Sequence, residues 1–324
     1  MGPVDDLRTF LDWVQTFWEH ISSVGWAALA IAVLLHVLKT TLRVRAWQNI
    51  LRAAYPDAEV PFRGIFGAYF AGIGVNSIAP ARGGDFVKLY LAKRRVAGSV
   101  YPTLGSTLLV ETLFDFVVAG ALLAWAIRRG LLPGVPDLPS LPAFDWSFVV
   151  EHPRVATVIG SVLLFAGILG VTWASRHVWE FWKRVRQGLA ILSDRRAFLT
   201  QVVSWQLLAW VARIGAIYWF LRAFHIEATL EVAFAVIVVQ TLSTLLPFTP
   251  GGLGTQQAIL LFVLAGVASK SAVLAFSVGM HLATLVVNVV IGFGAMSVML
   301  RTLRWRRKIG SEPSSPPSGT VHPG

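Results

Sequence analysis

Arg82, Asp85 and Lys88 stand close together in residues 72–91, GIGVNSIAPARGGDFVKLYL, with strongly apolar chain on either side. The same stretch holds Gly72, Gly74, Asn76, Pro80, Gly83 and Gly84. A Gly costs about 1 kcal/mol and a Pro about 3 against Ala inside a helix, and a charge near a hydrocarbon core roughly 2.5–3.5 kcal/mol on insertion scales. Breakers and charges together therefore point to a built feature, because irregular backbone is tolerated at membrane depth only inside protein or beside a water-filled cavity. Gly83–Gly84–Asp85 reads as a helix start, with Asp85 capping residues 86–91. Free N–H groups at that start, the planar fork of Arg82 and the ammonium of Lys88 on the same face make an anion site. Asn76 adds a hydrogen bond, and a phospholipid or polyprenyl-phosphate head group is an anion of the right kind. Capping alone explains Asp85 equally well, and unspecific snorkelling to lipid phosphates competes for Arg82 and Lys88.

Further polar groups lie in apolar segments. Glu111 and Asp115 are four apart, on one helical face, and carboxylates inside a span face the protein interior. They read as counter-charges for Arg82, Lys88 or Arg213, with proton coupling as the alternative. Arg213 is mid-segment and needs a partner. His281 and Asn288, seven apart, can line one cavity. A second interrupted stretch, residues 246–257 (LPFTPGGLGTQQ), brings Pro247, Pro250, Gly251, Gly252 and Gly254 to a tight tip, with Thr249, Thr255, Gln256 and Gln257 beside it. It is not a nucleotide loop, since no Gly-Lys-Ser/Thr follows. No nucleophile triad and no metal-ligand cluster is legible, and no cofactor is expected.

The elements that must position these groups are transmembrane. Hydrophobic residues make up 55% of the chain and charged residues 14%, against about 25% charged in soluble domains. The class is a polytopic membrane protein. The 13 Trp suit two aromatic interface belts. Cys is absent, which excludes disulfides and thiolate chemistry. In so apolar a chain, the net charge of +11 reads as cytoplasmic loops facing anionic lipid rather than as nucleic-acid binding.

Taken in order, residues 1–22 lack the basic and apolar regions of a signal peptide and read as an interfacial helix, or equally as one packed on the bundle. Residues 24–42 are the first span. Lys39, Arg43, Arg45, Arg52 and Arg63 mark the connection after it as cytoplasmic, with the N-terminus outside. Residues 64–79 are too short to cross, and Lys88, Lys93, Arg94 and Arg95 follow the break. Both basic clusters stay inside only if the segment enters and returns. Residues 103–127 span, 130–153 form a Pro-rich external loop, and 155–174 return. Residues 176–196 read as an amphipathic cytoplasmic helix with Trp179, Trp182, Val185, Leu189 and Leu192 on its apolar face. Residues 198–221 span, 232–246 and 253–268 make a hairpin from outside, and 272–300 span to a basic cytoplasmic end. Residues 309–324 are a disordered tail. The expected fold is an all-α membrane bundle over residues 23–308, with inverted repeats at about 24–127 and 198–300 and two inverted re-entrant hairpins. Paired interrupted segments at matching positions of two halves point to a transporter site at the repeat interface.

Asn76, Pro80, Arg82, Gly84, Asp85 and Lys88, with Pro247, Pro250, Gly251, Gly252 and Gly254, resemble in order and spacing the two motifs of the flippase-like family built on the transmembrane region of lysylphosphatidylglycerol synthase. The resemblance covers nearly the whole chain. It implies movement of lipids or lipid-linked precursors between leaflets, without catalysis by this polypeptide. Gln257 stands where a Glu commonly follows the second motif, Lys88 where Arg is usual, and Glu111–Thr112 where a Glu-Arg pair is common. Lysyl transfer is not expected, because no soluble transferase domain follows residue 300. The expected partners are an anionic lipid and the cell membrane. The alternative is a lipid-holding subunit beside a separate lipid-modifying or glycosyl-transfer enzyme.

The topology predicts a labelling pattern in the naturally Cys-free chain. Single Cys residues replacing Lys93 or Lys183 should react with an impermeant thiol reagent from the cytoplasmic side alone, and those replacing Asp137 or Ser140 from outside alone. External labelling at position 93 removes the first hairpin.

Overall fold

The computed structural model describes residues 23–78, 83–129, 179–245 and 254–309, and every regular element among them is helical. In chain order these are α1 (Trp26–Ala54), α2 (Phe62–Asn76), α3 (Gly83–Lys93), α4 (Tyr101–Arg128), α5 (residues 179–188), α6 (Arg195–Ala223), α7 (Leu230–Leu245), α8 (Thr255–Val263) and α9 (Lys270–Ile309). Among the described residues, four helices are long and apolar enough to cross a membrane: α1, α4, α6 and Lys270–Leu300 of α9. The chain is thus a multi-pass, all-helical membrane protein. The helix expected over 1–22, the loop 130–153, the linking span 155–174, the tail from 310 onward and the tip residues Pro80, Arg82, Pro247, Pro250, Gly251 and Gly252 lie outside the described residues.

Several boundaries differ from the expectation. The first helix does not end at residue 42 but runs to Ala54, carrying Arg43, Arg45 and Arg52 with it. No Gly or Pro interrupts it until Pro56, which disfavours helical geometry at Tyr55. Two of the charges that suggested a loop, Arg43 and Arg45, are satisfied by neighbours instead. Arg45 donates to Gln48 at 2.7 Å and lies over the Trp205 ring, while Arg43 turns inward. The single amphipathic helix expected over 176–196 is also divided. Described helix covers 179–188, a tight turn spans Ala190–Ser193, and the Asp194 carboxylate accepts from Ala197 N–H to start α6. Trp179 and Trp182 remain exposed, as an apolar face on lipid requires.

Gly72 and Gly74 do not break α2; they lie within it and let other helices approach. A Cβ on Gly72 would stand 2.8 Å from both the Gly84 carbonyl and the Lys88 Cβ. One on Gly74 would stand 2.9 Å from the Asn288 carbonyl and the Gly292 Cα. Such small-residue contact is how helices associate where lipid removes the hydrophobic drive between them. Gly64 lies against Arg95, Gly72 against Lys88 and Asn76 against Gly84, so α2 and α3 run antiparallel. At 1.5 Å per residue they are about 22 and 16 Å long, short of a ~30 Å hydrocarbon core. α7 and α8 form a second short pair, also in mutual contact. Gly254 starts α8 at φ +88°, which only glycine adopts freely.

Packing divides the bundle into two apolar cores. One joins Val24, just before α1, and Ala32 of α1 to the end of α6, to α7 and α8, and to Val273–Met280 of α9. The other joins Val44–Ala54 of α1 to α2, α3, the start of α4 and Met299 of α9. The two short pairs therefore lie in different cores, toward opposite ends of α1 and α9. α1 packs along α6 and α9 along α2, so the two halves interlock.

The α2–α3 contact generates a prediction. Gly72→Leu should lower the thermal unfolding midpoint of the purified protein, by about the 1–3 kcal/mol of overpacking. Gly120→Ala, with open space around its Cβ, should leave the midpoint unchanged or raise it.

Candidate functional site

Between the two cores lies a polar layer, and Glu111 is at its centre. Its position four before Asp115 on α4 places both carboxylates toward α1, as the spacing predicts. Arg43 of α1 meets them both. Its Nη2 lies 2.6 Å from Asp115 Oδ2 and 2.8 Å from Glu111 Oε1, and its Nη1 donates to Asp115 Oδ1 at 3.3 Å. The other Glu111 oxygen takes Lys88 Nζ of α3 at 3.2 Å. The Tyr69 hydroxyl of α2 donates to Glu111, and Arg43 Nε donates to Tyr69 Oη at 3.1 Å. Lys88 Nζ is also 3.6 Å from the Tyr69 ring centre and 4.3 Å from that of Trp47, within cation–π range. The Trp47 indole donates to Thr107 and the Trp210 indole to Asp115. One carboxylate on α4 thus ties α1, α2 and α3 together.

Beside this cluster is a cavity of about 220 Å³ at the junction of the two halves. α1 supplies His36, Lys39 and Arg43, a face repeating at helical spacing. α6 supplies Arg213, α7 Gln240, α8 Gln256, and α9 Met280, His281 and Thr284. Arg213 Nη2 donates to Gln240 Oε1 at 3.2 Å, and its guanidinium lies 4.7 Å from the Trp210 ring centre. No carboxylate lines the cavity among the described residues. Lys39 and Arg213 have no ion pair among them either, whereas Arg43 and Lys88 do. Two cations that form no ion pair among the described residues, amid apolar helices, make the cavity suited to an anion.

A hydrogen-bonded chain leads from the cavity to the first helix pair. Lys39 has donors only, so it donates to His36 Nδ1 (3.4 Å), and His36 Nε2–H donates to Asn288 Oδ1 (3.0 Å). The Asn288 amide then donates to Ser77 Oγ (3.2 Å), directly after α2.

The predicted site residues are thus distributed over distinct places. Glu111, Asp115 and Lys88 come together, with Lys88 turned into the protein rather than toward lipid. Arg213 and His281 line the cavity, and Asn288 bonds to its wall. Asp85 is not the helix cap. Asn76 Oδ1, reaching across from α2, accepts from Gly84 N–H at 2.7 Å, and Asn76 Nδ2 donates to Asp85. The hairpin turns this donor inward, so it is not free for a ligand. Gln257 Oε1 accepts from Gly254 N–H at 2.7 Å, a capping role open to a carboxylate as well. Arg82 and the Pro247–Gly252 tip are not among the described residues.

Sequence reasoning missed Arg43, Lys39 and His36 as site residues because they were placed near or beyond the end of a span. Their i, i+3, i+7 spacing on uninterrupted helix was the available signal.

Because Glu111 is 6% exposed and meets both Arg43 and Lys88, Glu111→Ala should destabilise strongly, by about the 3–5 kcal/mol of a broken buried pair. Adding Lys88→Met should recover part of the loss, measured as the unfolding midpoint in detergent. No recovery would mean that Lys88 and Glu111 are not coupled.

Residues 9–292 match the family described as lysylphosphatidylglycerol synthase TM region. Similar proteins include the glycosyltransferase AglD of Haloferax volcanii, 27% identical over 83% of this chain and 48% of its own length. A UPF0104 membrane protein of Methanothermobacter thermautotrophicus is 24% identical over 71% of this chain and 73% of its own. Another, of Methanocaldococcus jannaschii, is 22% identical over 59% and 78%. The chain thus spans about half the length of the first of these relatives. With four candidate spans among the described residues, two interrupted motifs and a match across most of its length, the chain belongs to the lysylphosphatidylglycerol synthase transmembrane-region family.

Proposed function

We propose that this protein moves an anionic phospholipid or polyprenyl-phosphate-linked lipid between leaflets, without changing it chemically. The observation that carries the reading is the cavity where Lys39 and Arg213 form no ion pair among the described residues, at the junction of the two halves. Uncompensated cations inside an apolar bundle are costly and are kept where an ion or head group passes. Transporters built from inverted repeats hold substrate at such a junction, between interrupted segments. In this reading the α2–α3 and α7–α8 pairs re-enter the membrane from opposite sides, the N-terminus is outside and the C-terminus cytoplasmic. Arg82 and Lys88 mark the inner side of the path, Arg82 receiving the head group. Lys88 acts through its pair with Glu111. The tip around Pro247, Pro250, Gly251, Gly252 and Gly254 is the opposing gate. Arg43, Glu111 and Asp115 hold the scaffold neutral while the halves rock.

A second reading has a specific observation in its favour. The relative from Haloferax volcanii is named as a glycosyltransferase and extends well beyond the matched region. This chain would then hold a lipid substrate for a separate lipid-modifying or glycosyl-transfer enzyme.

Reconstitution distinguishes the two. Purified protein in liposomes with labelled lipids should exchange an anionic lipid between leaflets with no partner present. Arg213→Gln and Arg82→Ala should each slow exchange roughly tenfold, the loss of one charge-assisted hydrogen bond. Absence of exchange with every phospholipid and polyprenyl phosphate tried would remove the stand-alone transporter. Unaltered rates in both variants would remove the path.

A further inference from the structure

Resting on the reading of the cavity as a head-group site, we infer that it is matched to a phosphate monoester carrying two negative charges rather than to the singly charged phosphodiester of common phospholipids. The argument begins with the charge balance of the polar layer. Among the described residues of the layer, four cations, Lys39, Arg43, Lys88 and Arg213, face two carboxylates that form ion pairs there, Glu111 and Asp115. Arg43 and Lys88 are held directly on those carboxylates. The excess of two positive formal charges therefore rests on Lys39 and Arg213, and both line the cavity. A dianion neutralises that excess; a monoanion leaves half of it in place.

The hydrogen-bond donors agree with the charge. Lys39 commits one N–H to His36 Nδ1, which leaves two others. Arg213 commits Nη2 to Gln240. Its remaining N–H groups have no hydrogen-bond partner among the described residues. Arg43, in contrast, is engaged by Glu111, Asp115 and Tyr69. A monoester presents three terminal oxygens and a phosphodiester two. Two separate cationic donor sets on different helices, α1 and α6, are better satisfied by the former.

Size sets the third condition. A cavity of about 220 Å³ has room for a phosphoryl group and the atoms attached to it. Ile217, Phe220 and Met280 give the wall an apolar portion that an acyl or prenyl chain can follow, beside the polar Gln240, Gln256, His281 and Thr284.

The test is a binding comparison on the full chain in detergent at pH 7, where a phosphate monoester carries about 1.5 to 2 negative charges. Dioctanoyl phosphatidic acid, dioctanoyl phosphatidylglycerol and inorganic phosphate are titrated in parallel by microscale thermophoresis. Phosphatidic acid should bind roughly tenfold more tightly than phosphatidylglycerol, the value of one added charge-assisted hydrogen bond. Lys39→Gln and Arg213→Gln should each abolish that preference, and Arg222→Gln, an exposed arginine on the same helix as Arg213, should retain it. The comparison of ligands on the unaltered chain stands even where a variant fails to fold. Inorganic phosphate binding as tightly as phosphatidic acid would support the monoester match and assign it to a soluble source. Equal binding of the two lipids would overturn the inference while leaving a lipid site. No binding of any of the three would overturn it together with the head-group reading of the cavity.

Discussion

Positive charge inside an apolar bundle must be met by something, and here the supply of negative charge is short. Arg43, Lys88, Lys39 and Arg213 all stand on helices within the bundle, and Glu111 and Asp115 are the carboxylates that meet any of them among the described residues. Each uncompensated cation at bilayer depth costs about 2.5–3.5 kcal/mol on insertion scales. Glu111 relieves the largest share. One oxygen receives Arg43 and Tyr69 and the other Lys88, so α1, α2 and α3 must all present these side chains to one point on α4. That requirement fixes how closely the first helix pair packs, and explains why Gly72 faces Lys88 with no room for a side chain. Close approach brings the ammonium within 3.6 Å of the Tyr69 ring centre, where the aromatic face supplies further attraction.

The polar layer has consequences for how the molecule can move. Apolar cores above and below it are separate clusters, and α1 and α9 contribute to both. The α2–α3 pair belongs to one core, and the α7–α8 pair to the other. Movement of either pair against the bundle is therefore compatible with an intact core at the opposite end. What cannot stay unchanged is the layer between, since Tyr69 and Lys88 reach into it from the first pair and Gln240 and Gln256 from the second. Interlocking of the halves, α1 with α6 and α9 with α2, keeps the layer closed around its charges.

Those features that depend on length and composition were legible in the sequence. The spans at 24–42, 103–127, 198–221 and 272–300 all correspond to helices, and the two short segments are short in the structure too. Glu111 and Asp115 fell on one face because helical geometry leaves no alternative at that spacing. What could not be read was set by partners distant in the chain. Arg43 looked like the start of a loop because its carboxylates lie 68 and 72 residues away. Gly72 and Gly74 looked like breakers because the α3 and α9 backbones that approach them are invisible to propensity. Asp85 looked like a cap because the competing cap, Asn76, reaches it across a turn. In each case a tertiary contact decided the role of a residue whose type had been read correctly. His281 was expected at a cavity and Arg213 was read as a mid-span charge in need of a partner, whereas Lys39 sat near an assumed helix end and was passed over.

Donor and acceptor polarity ties the cavity to the end of α2 more firmly than distance alone would. Lys39 can only donate, so His36 Nδ1 must accept and Nε2 must carry the proton. Asn288 therefore offers its oxygen to His36 and its amide hydrogens to Ser77, and the Ser77 hydroxyl is left to donate to the Ile73 carbonyl. Each assignment determines the next, from a cation on the cavity wall to the last turn of the helix preceding the first break. An isolated pair could exchange roles at little cost, but a chain of four bonds with one permitted direction cannot reverse at any link without leaving a donor facing a donor or an acceptor facing an acceptor. The orientation of Asn288, and with it the contact of α9 with the first helix pair, is thus set by the same ammonium that gives the cavity its charge.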